Sequence, residues 1–437
     1  MIFKNKIVRN ASWIIGARIA QAILSLIVSS LTARFLGPSN YGLIGYAQSI
    51  VTFVVPIMQL GLNAVLVQEI IRNPQDEGKI LGTSLVMTFV SAIVCGLGVL
   101  SFVACVNAGE KETFIVCALY SLVLLCQSTE IIQYWFQAKY LSKYTSLLSL
   151  GAYILVSVYK IVLLVLQKNV YWFAVSYAID YFLIAVGMHI IYRKLGGQVF
   201  SFSKKYALDL IAKGKYYILS GLMVAVFAQT DRIMLKLMVG DAETGLYSAA
   251  VVCAGLASFF FSAIIDSMRP AAVEQKGTSE KGYKNVLTQL YSIVIYCALA
   301  YSLFATVFAK PIISILYGRE YSRSVPVLRV IVWYTTFSYF GGAKDVWILT
   351  EGKQKYLLLL NATGAFANVL LNYFLISVWG AVGAAVASLV TQFFANVVMM
   401  VIIPELRPNA VLLLQATNPK VLFDMLKHIG GKKHEPI

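Results

Sequence analysis

Twelve long apolar stretches separated by short polar segments run from residue 10 to residue 403, and no other feature restricts the fold so severely. A helix rises about 1.5 Å per residue, so about 20 apolar residues cross the hydrocarbon layer of a bilayer. The predicted spans are 10–33, 41–67, 80–106, 113–137, 145–167, 170–192, 216–239, 244–268, 286–309, 324–349, 355–377 and 380–403. Their apolar runs are continuous, without alternation over strands of about ten residues, which selects helices over a transmembrane β-barrel. With 59% hydrophobic and 13% charged residues, the chain carries more apolar surface than one soluble core hides. The predicted fold class is all-α and polytopic, with about 12 transmembrane helices.

Loop charge sets the expected orientation, because cytoplasmic loops carry the excess of Lys and Arg. With the N-terminus inside, about 24 bases fall on the cytoplasmic side, among them Lys4, Lys6, Arg9, Arg193, Lys194, Lys204, Lys205, Lys276, Lys281 and Lys284. About seven fall on the other side: Arg34, Lys111, Lys168, Lys236, Lys310, Arg319 and Arg323. Both termini are therefore expected in the cytoplasm, and the net charge of +16 mainly reports topology. The first apolar segment is longer than the core of a secretory signal and lacks a cleavage site, so it is read as a retained helix.

The basic segment 193–215 divides the spans six and six. This gives an N-terminal lobe (1–192), a cytoplasmic inter-lobe loop (193–215), a C-terminal lobe (216–403) and a cytoplasmic tail (404–437). In the tail, Val421, Leu422, Met425, Leu426 and Ile429 share one helical face and predict a short interfacial helix. The halves echo each other. Gly37 and Gly42 match Gly240 and Gly245 at an offset of 203, while Trp135, Lys143 and Tyr144 match Trp347, Lys355 and Tyr356 at 212. An even number of spans per half makes the repeats parallel, about an axis along the membrane normal, and such repeats place a substrate site between them. Chance matching of common residues is the alternative.

Ten charges fall inside spans, where each costs roughly 2.5–3.5 kcal/mol if it faces lipid. The acids are Glu130, Asp180, Asp231, Asp266 and Asp345; the bases are Arg18, Lys160, Arg232, Arg329 and Lys344. Five against five permits complete interhelical pairing, the structural alternative to a functional reading. Arg329 and Lys344 lie near span ends, where they can snorkel. Glu130 and Asp180 are candidates for coupling transport to protons. Arg18, Gln21 and Ser25 form a polar stripe, and Gln229 and Arg232 are three apart on the seventh span. At the repeat offsets Asn63 maps to Asp266, Lys160 to Asn372 and Asp180 to Gln392, polar onto polar each time. Asn361, Asn368 and Asn372 share a face of the eleventh span and read either as cavity residues or as interhelical packing.

Catalytic and metal motifs are absent from the sequence: there is no GxSxG, HExxH or phosphate-binding loop, and His189, His428 and His434 form no cluster. The six cysteines all lie in apolar stretches and read as inert thiols. No catalytic residue, metal or cofactor is expected, and no nucleic-acid partner.

Three stretches carry a family resemblance: Ala33-Arg-Phe-Leu-Gly-Pro-Ser-Asn-Tyr-Gly42, Asp231-Arg-Ile-Met-Leu235 with Gly245-Leu-Tyr-Ser-Ala249, and Gly352-Lys-Gln-Lys-Tyr356 with Asn368 and Asn372. Over nearly all of residues 1–403 the chain resembles the polysaccharide repeat-unit flippases of the multidrug/oligosaccharidyl-lipid/polysaccharide exporter superfamily. The resemblance implies two six-helix lobes forming a V, alternating access, and a cationic cavity for an undecaprenyl-diphosphate-linked oligosaccharide in the bacterial cytoplasmic membrane. By position, Arg18, Lys160, Arg232 and Arg269 are then the expected diphosphate-binding cations, arginine being suited to phosphate by its planar fork of donors. Expected partners are that lipid-linked sugar, membrane lipids, H+ or Na+ as coupling ion, and a polysaccharide polymerase. A polytopic polymerase or acyltransferase, and a cation-coupled multidrug exporter, are the competing readings. The polar tail after residue 403 is too short for two further spans, unlike the lipid II flippases of the superfamily.

Overall fold

In a computed structural model, the backbone is described for residues 2–423 and the side chains for residues 19–423; among these residues the chain is almost wholly helical and has no strand. Apolar runs form helices because lipid offers no partner to a bare N–H or C=O, so each must bond within its own segment. In order these are α1 (Ile2–Met58), α2 (Leu66–Arg72), α3 (Glu77–Val106), α4 (Lys111–Gln127), α5 (Gln133–Ala138), α6 (Ser142–Val165), α7 (Val170–Lys194) and α8 (Lys204–Val239). There follow α9 (Asp241–Ala254), α10 (Ser258–Thr278), α11 (Glu280–Val307), α12 (Ala309–Tyr317), α13 (Ser324–Thr350), α14 (Lys355–Phe393), α15 (Met399–Ile402) and α16 (Arg407–Ala416).

Among the described residues, nine helical segments are long and apolar enough to cross a bilayer. Two of them are each interrupted by a non-helical glycine, Gly37 in α1 and Gly380 in α14, and so comprise two helices apiece. With α13, whose 27 residues occupy the tenth predicted span, these account for the expected dozen. The boundaries shift in places. The second span ends at Met58, and Asn63, expected within it, lies exposed in the single turn Leu62–Ala64.

Close packing divides the chain into two units, Met1–Gly245 and Leu246–Ile437. The first takes in α8, because residues 195–203 form a fixed strap. Gln198 accepts from Gly78 N–H at 2.9 Å and donates to Pro74 O at 3.0 Å. Ser201 N–H donates to Gly78 O at 3.2 Å, and Ser203 N–H to Thr83 Oγ1 at 2.9 Å. The approach needs a bare backbone: a Cβ on Gly78 would lie 2.3 Å from Val199 O. The expected loop 193–215 is therefore corrected. Residues 204–215 are the first turns of α8, since a solvated, lysine-rich stretch forms helix as readily as loop once its end is anchored.

The second unit is built around α11 and α13. Tyr291, fully buried, donates to Asn409 Oδ1 at 2.6 Å from α16, a helix that the sequence reading left as polar tail. The Phe261 and Tyr339 rings stack at 4.1 Å. Of the predicted interfacial helix in the tail, residues 424 onward lie outside the described residues.

Backbone conformation agrees with the internal repeat. Gly37 and Gly240 share positive φ with extended ψ (71°, 170° and 97°, −178°). Tyr140, at the 212 offset from Gly352, adopts φ 58° where the glycine has 68°, although such a φ is unusual for a residue with a Cβ. Trp135 and Trp347 are equally buried, at 4% exposure each.

Candidate functional site

Inside the first unit, α4, α6, α7 and α8 bring a polar cluster together at membrane depth. Lys160 of α6 is buried, and its ammonium lies over the Tyr177 ring of α7, 4.0 Å from the centroid. Tyr177 in turn packs on Tyr120 of α4, with ring centroids 4.9 Å apart. Asp180 stands one turn beyond Tyr177 on α7, within electrostatic range of Lys160. Tyr153, seven residues before Lys160, faces Ser25 of α1, and Arg232 of α8 acts on the Tyr120 hydroxyl. Glu130 sits beside Gln127 where α4 tightens into the 3₁₀ turn Ser128–Ile132, and it feels the charge of Asp180.

Asp180 Oδ1 and Gln229 Oε1 are among the side-chain oxygens of this unit that are buried without a hydrogen-bond partner among the described residues. Buried acceptors are nearly always satisfied, so an unsatisfied pair at membrane depth points to a role for an incoming donor. A buried cation on an aromatic face, open acceptors and tyrosine hydroxyls are the mixture of groups that suits an anionic, hydroxyl-rich ligand.

The other predicted residues fall elsewhere. Asp266 and Arg269 are both exposed on α10 and pair with each other at 3.4 Å, one turn apart in the second unit. Lys344 is buried against Asp345 at 3.3 Å. Asp231 is buried and Arg232 half-buried, and both are engaged. Asn372 donates to Asn368 Oδ1 at 3.0 Å, and Asn368 donates to Ser388 Oγ at 3.3 Å across the Gly380 break, both asparagines being fully buried. That ladder packs the two halves of α14, which is the packing alternative for these residues. Gln21 is half-buried. The Arg18 side chain lies outside the described residues.

Sequence reading missed Lys236, which it counted as an outer-loop base. The residue is buried in the last turn of α8 and donates to Glu110 Oε2 and Asp241 Oδ2, each at 2.7 Å. Its hydrogen bond to Glu110, helped by that of Thr113, holds the Glu110 carboxyl below its ordinary range. It missed the tyrosines too, although Tyr177, Asp180 and Tyr181 stand at the i, i+3, i+4 spacing of one helical face.

Known proteins place this architecture. At TM-score 0.72 and 12% identity the fold is similar to a lipid II flippase MurJ in an inward closed conformation, over 96% of this chain and 93% of that one. At TM-score 0.63 and 12% identity it is similar to an inward-facing multidrug resistance MATE transporter, over 92% and 96%. In sequence, the capsular polysaccharide biosynthesis protein CapF of Staphylococcus aureus is 21% identical over 402 residues, 89% of this chain and 97% of CapF. An uncharacterized membrane protein of Methanocaldococcus jannaschii is 25% identical over 232 residues, 49% of this chain, and the match spans only 45% of that protein's length. The profile of the polysaccharide biosynthesis proteins matches residues 7–275, the whole stretch that holds the Lys160 cluster and the paired glycine elbows. With more than half its length so matched, this multi-pass membrane protein belongs to the polysaccharide biosynthesis protein family.

Proposed function

We propose that the chain is a flippase that moves an undecaprenyl-diphosphate-linked oligosaccharide across the bacterial cytoplasmic membrane by alternating access, with both termini in the cytoplasm. The observation that carries this reading is the buried Lys160–Tyr177–Asp180 cluster with its open acceptors, inside a member of a polysaccharide biosynthesis family. Charge at that depth is retained only for a purpose. Lys160 and Arg232, with Arg18, attract the diphosphate; Asp180 and Gln229 receive sugar hydroxyls, while the Tyr177 ring seats the Lys160 ammonium. Net transport draws on a proton or sodium gradient, with Glu130 and Asp180 as the groups that change charge, or on consumption of the flipped product by a polymerase.

The test is polymer export in cells. Lys160→Ala and Arg232→Ala should abolish surface polymer while folded protein persists in the membrane; unchanged polymer would sink the assignment. Transport in vesicles that ignores an imposed proton gradient would remove Glu130 and Asp180 from coupling. The fold likeness to MATE transporters keeps drug export as the second reading, and it predicts drug sensitivity rather than polymer loss in a deletion strain.

A further inference from the structure

A groove in the first unit lies apart from the charged cluster. Its volume is about 720 Å³, and it is walled by apolar side chains of α3, the α4 end and α7, with Phe200 of the strap closing one end. Phe89, Phe182 and Phe200 supply three aromatic walls. Two features separate it from ordinary lipid-facing surface. First, α4 tightens there into the 3₁₀ turn Ser128–Ile132, and Ser128 and Thr129 line the groove. A 3₁₀ stretch inside a longer helix often marks a hinge or a strained segment. Second, exposed basic groups gather at the Phe200 end. His189 lies in the wall, its ring 5.7 Å from that of Phe200, and the Arg193 guanidinium is 5.7 Å from the same ring, with Lys194 next to it. No carboxylate pairs with Arg193 or Lys194 among the described residues.

We infer that this groove holds the isoprenoid chain of a polyprenyl phosphate, with the phosphate on His189 and Arg193. A lipid chain leaving the bilayer for an apolar groove gains no hydrophobic free energy, because hydrocarbon surrounds it in both places. Selection must come from shape and from the head group. A methyl-branched chain makes van der Waals contact with broad aromatic walls that a linear chain leaves unfilled, and unpaired bases attract a phosphate through charge-assisted hydrogen bonds. On the orientation proposed above, all of these residues lie in the cytoplasmic half of the bilayer, where a carrier lipid loaded inside the cell must enter. The inference rests on that reading of the cargo, and assigns the tail a site distinct from the one that receives the sugar.

Full-length protein in nanodiscs, titrated with undecaprenyl phosphate or with linear-chain phosphatidic acid and read by native mass spectrometry, tests it. Ala185→Trp fills the groove, and Arg193→Gln removes the base beside Phe200. Undecaprenyl phosphate should bind in preference to phosphatidic acid, and each variant should weaken it by roughly tenfold. Unchanged affinity in both variants would overturn the groove, as would equal binding of phosphatidic acid, which would make it a site for bulk lipid. A photoreactive prenyl phosphate should label α3, α7 or Phe200; labelling confined to other helices would count against the site even if a variant misfolds. Because this probe carries no sugar, loss of binding is scored independently of polymer export, and wild-type failure in the export assay would fault the cargo reading instead.

Discussion

Gly42 and Gly245 occupy equivalent places in the repeat and each meets the other's elbow: a Cβ on Gly42 would lie 1.9 Å from Asp241 O, and one on Gly245 1.9 Å from Pro38 O. Pro38 and Asp241 are themselves equivalent at the 203 offset, so the contact is reciprocal within the first unit. The obstacle is backbone on both sides and cannot rotate away. Gly42→Ala and Gly245→Ala should each lower stability by about 1–3 kcal/mol, as overpacking of a filled interior does. Thermal unfolding in detergent measures this. Gly96→Ala, with nothing within 4 Å of its Cβ, is the control and should not lower the transition.

The strap gives a second prediction. Gln198 alone ties the strap to Gly78 N–H and Pro74 O, and Tyr192 fixes its carbonyl at 2.8 Å. Gln198→Ala should speed amide exchange in residues 195–203 and in the first turn of α3, with about 1 kcal/mol lost for the hydrogen bonds. Exchange rates matching wild type would show that the Ser201 and Ser203 hydrogen bonds and packing hold the strap without Gln198.

How much of this was legible follows from what hydropathy reports. Apolar runs gave the helices, and the glycine pairs 37/240 and 42/245 marked the elbows before any geometry was known. The segment 204–215 was not legible, because Lys204, Lys205, Lys213 and Lys215 look alike in a loop and in a solvated helix. Lys236 was misplaced for a related reason: a lysine beside Gly240 reads as interfacial, and only the fold brings Glu110, 126 residues away, against it. Asp266 and Arg269 stood one turn apart in the sequence and their pairing could have been read there, but the span boundary drawn at 268 separated them. The likeness of Lys160 and Asp180 to a site came from their depth in the spans; the tyrosine face beneath the lysine is a product of tertiary packing.

Acid should weaken the Lys236 clip. Glu110 has a lowered folded-state pKa, held down first by Lys236 and then by Thr113. A depressed carboxylate contributes stability that is present above its ordinary value of 4.5 and is lost as pH falls through the folded value. Glu110 is nearly half exposed, so screening keeps the contribution below about 1 kcal/mol. The melting temperature of Glu110→Gln should therefore fall less steeply than that of wild type as pH drops below 4.5, and the two should run parallel above it. Lys236→Met should cost more than Glu110→Gln at neutral pH, since it strands Asp241 beside Glu110 without a cation.

The asparagine ladder separates packing from transport. Asn368→Ala removes the acceptor of Asn372 and the donor to Ser388. Interhelical hydrogen bonds inside membranes average about 0.6 kcal/mol and reach about 1.7 kcal/mol, so the variant should be measurably less stable. Polymer export per folded molecule should stay near wild type. A loss of export with unchanged melting would move Asn368 from the packing of α14 to the cargo path.

Lys160 and Tyr177 give the sharpest contrast, because the ring and the hydroxyl of the tyrosine can be tested apart. The ammonium rests on the ring face at 4.0 Å, an arrangement that desolvation strengthens to about 2 kcal/mol or more. Tyr177→Phe keeps the face and removes only the hydroxyl, so Lys160 should stay in place and export should be largely preserved. Tyr177→Leu keeps a similar apolar bulk without the quadrupole. It leaves the buried lysine without its aromatic partner, with Asp180 still in electrostatic range. Export should then fall to the level of Lys160→Ala, while combining Tyr177→Leu with Lys160→Ala should cause no further loss, since the ring acts through the cation. Additive losses in that double variant, scored as surface polymer at matched protein levels, would show that Tyr177 touches the cargo independently of Lys160.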